Sequence, residues 1–320
     1  MDEVDWQERG RRAWRFLRPV QSVKAGRPVP PPLPEGRVLA VDGRGEMFLR
    51  HAEGPPGGPT ILLLHGWVIS ADLNWWRVYE PVTQLGRLLA VDHRGHGRGI
   101  WSNERFSLEA AADDAAALIR ELEVGPVVAC GYSMGGSIAL LLWQRHPELV
   151  SGLVLEATCL DWGANLRERV VWKTMGMVEL VSRLGASEGF VERVLRDAVE
   201  RSPDLAPYQP WLKAELQRGD TIQFADAGRA MGDFDPSPFV SLIDVPTSVV
   251  VTTRDQLVPA KKQRVLCRAV PDARVFELDG DHRACWLEPR AFEALTVAAL
   301  EEVVNRLGTG ARRSSGDGRR

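Results

Sequence analysis

Five residues, G-Y-S-M-G at 131–135, carry the sharpest chemical signal in the sequence. They follow the apolar run Val127 to Cys130 and precede an apolar stretch from Ser137 to Arg145. A strand that turns at once into a helix holds its middle residue in a strained conformation with the side chain exposed. Residues two before and two after must be small, or they collide across the turn. Gly131 and Gly135 meet that demand, and Gly136 relaxes the helix start. Ser133 then sits at a helix N-terminus, where free N–H groups and the helix dipole favour developing negative charge. The bland alternative is a Gly-rich turn with an incidental serine.

A serine hydroxyl is a poor nucleophile unless a base takes its proton. His282, in D-G-D-H after the last predicted strand, is the best-placed base. A carboxylate must set its tautomer and steady the imidazolium. Asp255, in T-R-D-Q-L-V-P, fits that role; otherwise it is a helix N-cap or turn residue. Asp161 is the reserve acid, while Asp279 and Asp281 lie too close along the chain to orient His282. A tetrahedral intermediate needs two backbone donors. The N–H groups of Met134 and of Trp67, in H-G-W after a predicted strand, are the candidates. Together these residues suit acyl transfer to water.

The elements that must position them alternate along the chain. Strands are predicted at 37–42, 46–51, 60–64, 87–91, 127–130, 149–155, 246–252 and 274–278, the first two joined by D-G-R-G. Helices are predicted at 108–122, 137–145, 260–269 and 289–306. Apolar strands alternating with helices indicate a mostly parallel sheet covered on both faces. Residues 159–241 break the rhythm with helical periodicity (Leu166, Val170, Val171, Met175; then Phe190, Val191, Val194, Leu195) and no convincing strand.

The ends differ from the core. Residues 1–25 interleave arginines with Trp6, Trp14, Phe16 and Leu17. Such a segment either lies on an anionic membrane surface or, the simpler reading, packs its tryptophans on the protein's own surface. Residues 28–34 are Pro-dense and read as a stiff linker. The Gly, Ser and Arg residues from Gly308 onward read as a disordered tail.

Composition narrows the class. The chain has 320 residues, 44% hydrophobic and 26% charged, with net charge −3. That suits a globular protein with a large core and gives no reason to expect a nucleic-acid partner. Four cysteines without C-x-x-C spacing are expected to be thiols. Neither a signal-peptide core nor a membrane span is visible, so the expected location is cytoplasmic. His65, His93 and His96 match no metal-ligand spacing, and no dinucleotide or nucleotide-phosphate loop is present.

With H-G-W (65–67), D-H-R-G-H-G (92–97), G-Y-S-M-G-G (131–136), T-R-D (253–255) and G-D-H (280–282) in order, the chain resembles the α/β-hydrolase superfamily, in its capped serine ester hydrolase branch. It is similar to bacterial aryl esterases, perhydrolases and monoacylglycerol lipases. The resemblance covers roughly residues 37–307. It implies an α/β-hydrolase fold: a mostly parallel eight-stranded sheet with helices on both faces and a helical cap insertion. It also implies the nucleophile–acid–base order Ser133, Asp255, His282, and no cofactor or metal. The resulting division is an arm and linker (1–36), a core in two parts (37–158 and 242–307), a helical cap (159–241) and a disordered tail (308–320). Relatives with an Asp nucleophile are set aside because position 133 is Ser, and Val68 departs from the proline usual in epoxide hydrolases. The expected substrate is a small hydrophobic ester. Trp162, Trp172 and Trp211 either line its acyl pocket or form cap core. The alternatives are a C–C bond hydrolase using the same triad and a non-catalytic binding protein.

Overall fold

The computed structural model describes residues 28–163, 170, 172 and 187–316. The segment at 1–25, with its membrane-surface and self-packing readings, lies outside the described residues.

Eight strands form one sheet: β1 (Glu35–Val41), β2 (Gly45–Ala52), β3 (Thr60–Leu64), β4 (Arg87–Val91), β5 (Val127–Tyr132), β6 (Val150–Glu156), β7 (Thr247–Thr252) and β8 (Arg274–Leu278). Their order is β1-β2-β4-β3-β5-β6-β7-β8. The pairs β1–β2 and β2–β4 are antiparallel, and all others are parallel. D-G-R-G makes the predicted hairpin, with Val41 paired to Gly45. Gly43 turns at φ +67°, a conformation that glycine adopts without a Cβ penalty.

Side-chain alternation divides the core into two layers. On β3, Leu62 and Leu64 face one side, with Ile138 of α4 (Met134–Arg145) and Leu266 of α8 (Ala260–Ala269). Ile61 and Leu63 face the other, with Leu300 of α10 (Pro289–Gly316). All four strand residues are fully buried, each contributing roughly 1.5–3 kcal/mol. Helices on both faces are why β3, β5 and β7 are buried along their whole length.

Between β6 and β7 the described residues hold α5 (Ser187–Arg201), α6 (Gln209–Leu216) and α7 (Thr221–Asp233), and no strand. The inward face of α5 carries Val191, Val194 and Leu195, as its periodicity predicts. Of the earlier apolar series, Leu166, Val171 and Met175 lie outside the described residues.

Three short helices were not legible in the sequence: α1 (Ala71–Trp75), α2 (Tyr79–Thr83) and α9 (Ala284–Leu287). Each is too short for its periodicity to register. The remaining one, α3 (Leu108–Glu121), starts where Ser107 accepts a hydrogen bond from Ala110 N–H at 3.0 Å. The last helix is longer than predicted: α10 runs past 306 through Gly316. Extending an existing helix needs no new nucleus, and Ala311, Arg312 and Arg313 are good helix formers.

Candidate active site

The site lies at the carboxyl ends of the central parallel strands, where open α/β sheets bind ligands. Ser133 joins β5 to α4 with φ +56° and ψ −117°, far from the regions open to most side chains. Its N–H donates to Glu156 O at 2.8 Å. The flanking glycines are obligatory. A Cβ on Gly131 would sit 2.2 Å from Gly135 O, and one on Gly135 would sit 2.0 Å from Leu64 O. Two other residues without glycine's freedom, Val68 after β3 and Ala157 after β6, also have positive φ. Of the five described non-glycine residues with positive φ, these three follow adjacent strands, while Glu123 and Asp272 lie away from the site.

His282 Nε2 lies 2.9 Å from Ser133 Oγ, and His282 Nδ1 lies 2.7 Å from Asp255 Oδ2. The structure therefore brings the three distant positions into one hydrogen-bonded chain. Asp255 is buried. Its Oδ1 accepts from Leu257 N–H at 2.9 Å and Val258 N–H at 2.8 Å. Its Oδ2 also accepts from Thr252 Oγ1 at 2.8 Å. Tyr132, one residue before the serine, donates its hydroxyl to His282 O at 3.0 Å and so ties the His282 loop to β5. Nothing in the sequence pattern signals that tether. The reserve acid and the two set aside have other partners: Asp161 is exposed and accepts from Gly163 N–H, Asp279 pairs with Arg254, and Asp281 pairs with Arg201 and Arg283.

The H-G-W loop lies against the serine, with a Cβ on Gly66 landing 3.5 Å from Ser133 Cβ. Gly66 N–H is taken by Asn74 Oδ1 at 2.9 Å, a brace without a sequence signature. Met134 begins α4, so its N–H has no partner within the helix. Among the described residues, Trp67 N–H has no acceptor either.

His65 supports this loop from below. Gly66 O, 2.7 Å from Nδ1, can only accept, and His93 N–H, 2.9 Å from Nε2, can only donate. Both ring nitrogens are committed and the tautomer is fixed. Burial lowers the pKa of His65, His93 and His96, that of His96 to about 3. These three rings, in contact at 4.2 and 5.7 Å, are therefore neutral struts. Among the described residues no group of three or more His, Cys, Asp or Glu is arranged to hold a metal.

The helical insertion touches both sides of the site. Trp67 Nε1 donates to Phe224 O of α7 at 2.7 Å, and its ring meets Trp172 edge-on. Trp172 in turn meets Trp162 edge-on. Trp211 belongs to a different group, packing on Trp76. All three insertion tryptophans are buried. On the other side, Arg201 of α5 pairs with Asp281 at 3.0 Å and Asp197 of α5 with Arg283 at 2.6 Å. These two partners flank His282 in sequence.

Comparison with known proteins agrees with this architecture. The sequence profile described as "Alpha/beta hydrolase family" matches residues 61–295. A pimeloyl-[acyl-carrier protein] methyl ester esterase from Nitrosomonas europaea is 27% identical, covering 70% of this chain and 88% of its own. A putative 2-succinyl-6-hydroxy-2,4-cyclohexadiene-1-carboxylate synthase from Bacillus subtilis is 29% identical, covering 75% and 89%. Among solved structures, a thermophilic esterase from Thermogutta terrifontis superposes with a TM-score of 0.69 at 21% identity, covering 85% and 99%. At that identity the likeness shows the fold.

Proposed function

The chain belongs to the alpha/beta hydrolase family, and from that premise we propose that it is a serine hydrolase cleaving carboxylic esters with a hydrophobic acyl or aryl group. The observation that carries this reading is the chain from Ser133 Oγ through His282 to Asp255, at 2.9 and 2.7 Å. Ser133 attacks the ester carbonyl while His282 Nε2 takes its proton. The N–H groups of Met134 and Trp67 receive the oxyanion. His282 returns the proton to the departing alcohol, leaving the acyl group on Ser133. Water, deprotonated by the same imidazole, then releases the acid and restores the serine. The esterase named among the relatives supports the bond type. The aromatic run Trp67, Trp172, Trp162 beside the site supports an apolar substrate.

The test is labelling by a fluorophosphonate probe, with Ser133→Ala as control. Wild-type protein takes the label and Ser133→Ala does not. On p-nitrophenyl esters of graded chain length, Ser133→Ala lowers kcat by roughly a millionfold, as in other triads. Near-normal turnover by that variant would rule the mechanism out. A labelled wild type that hydrolyses none of the esters would put the scissile bond outside this class.

A further inference from the structure

The carboxylate that orients the base is itself held by two buried residues the family motifs do not contain. Gln263 of α8 is fully buried behind β7. Its Oε1 accepts from Thr252 N–H at 3.0 Å, and its Nε2 donates to Val258 O at 2.7 Å. Turning the amide over would set donor against donor at the first contact and acceptor against acceptor at the second. The two backbone groups therefore determine the amide's direction. The other proton on Nε2 then goes to Thr252 Oγ1, 2.7 Å away, with Asp255 Oδ2 at a longer 3.4 Å.

Thr252 has a single hydroxyl proton. Because its oxygen accepts from Gln263, that proton is directed to Asp255 Oδ2 at 2.8 Å. Oδ2 is the same oxygen that faces His282 Nδ1. With Leu257 and Val258 N–H on Oδ1, every neighbour of the carboxylate donates to it. An acceptor-only carboxylate obliges His282 Nδ1 to carry a proton and leaves Nε2 free to accept from Ser133. We propose that Thr252 and Gln263 are positioning residues for the general base: a one-way hydrogen-bond relay that runs Gln263 to Thr252 to Asp255 and locks His282 in the tautomer that can deprotonate Ser133.

The relay rests on the serine hydrolase reading, and the two fail differently. The experiment is steady-state kinetics on a p-nitrophenyl ester hydrolysed by the wild type, with Thr252→Val, Gln263→Leu, the double variant and Thr252→Ser. Thr252→Val keeps the shape and removes the hydroxyl. Its kcat should fall roughly ten- to a hundredfold with KM within about twofold, since an interaction expressed in the transition state is lost. Thr252→Ser should recover most of that loss. Gln263→Leu should resemble Thr252→Val, because the hydroxyl is then free to turn away. The double variant should be no worse than the poorer single one, as members of one relay are not additive. Wild-type kcat in Thr252→Val, or losses that multiply in the double variant, would overturn the relay. A wild type that fluorophosphonate does not label would overturn the relay together with the hydrolase reading. Should a variant not fold, hydrogen exchange in the wild type still decides: the Gln263 side-chain amide protons should exchange slowly, and rapid exchange would overturn the relay.

Discussion

Ser133 shows how much of a site one residue's backbone can dictate. Its positive φ is costly for a residue with a Cβ, and such strain persists only where the surroundings over-determine it. Here they do so through Gly131, where β5 and α4 close on each other, and Gly135, where α4 meets the backbone at the end of β3. Gly135→Ala is therefore expected to cost at least about 3 kcal/mol, because backbone carbonyls cannot move aside as a side-chain tip can. A urea unfolding midpoint would measure it, and an unchanged midpoint would contradict the packing described. Glu156, whose backbone carbonyl receives Ser133 N–H, has a buried carboxyl touched by Thr296 Oγ1 at 3.3 Å. Burial pushes its pKa up to about 8, outweighing the Thr296 hydrogen bond.

Among the elements, the insertion contributes most beyond the bare sheet. Through Phe224 it holds the Trp67 indole, and through Asp197 and Arg201 it clasps the residues either side of His282. Burial alone would raise the pKa of Asp281, but the Arg283 N–H, Arg201 and the Arg283 charge hold it below its ordinary value. The clasp is partly exposed. Such pairs contribute only about 0–1 kcal/mol, so Arg201→Gln should shift Tm by no more than about 2 °C. Its effect should fall on turnover instead, as a several-fold loss of kcat that high salt reproduces in the wild type. Ester hydrolysis by Arg201→Gln across a salt series checks this; wild-type kcat at every salt concentration would deny the clasp a part in placing His282.

For the molecule as a whole, buried titratable groups set the pH range of stability. His65, His93 and His96 have folded pKa values lowered by burial below 6.5. Below pH 6.5 the unfolded chain takes up protons that the folded one refuses, so stability falls as pH drops. Glu156 works in the opposite sense. Its folded pKa, about 8, lies above its ordinary 4.5, so the folded chain keeps a proton the unfolded one releases. Stability is then lost as pH rises from 4.5 through 8. Just below pH 6.5 the histidines together outweigh the one glutamate, which places the maximum near pH 6.5. From there to pH 8 the loss is on the order of 2 kcal/mol at most. Thermal melts across pH 5–9 should show that maximum, and Glu156→Gln should flatten its alkaline side. A wild-type Tm that climbs steadily from pH 6.5 to 8 would refute the assignment.

The sequence alone determined the local conditions: strands from apolar runs, the elbow from Gly131, Ser133 and Gly135, and the positions of His282 and Asp255 beside their strands. These are legible because they depend on neighbours along the chain, on periodicity, turn sterics and the ends of elements. Even the helical character of the described residues between 187 and 233 could be read this way. Which distant groups meet depends on how the chain packs in three dimensions. Tyr132 reaching His282 O, Asn74 holding Gly66 N–H, and Gln263 directing Thr252 toward Asp255 leave no periodic trace. Each is a single polar side chain whose partner is chosen by how helices and loops dock on the sheet. The fold also brings Asp255, and not the reserve acid Asp161, to His282 at hydrogen-bond distance. A hydrogen bond is satisfied across a few ångströms of space, whereas sequence records only distance along the chain.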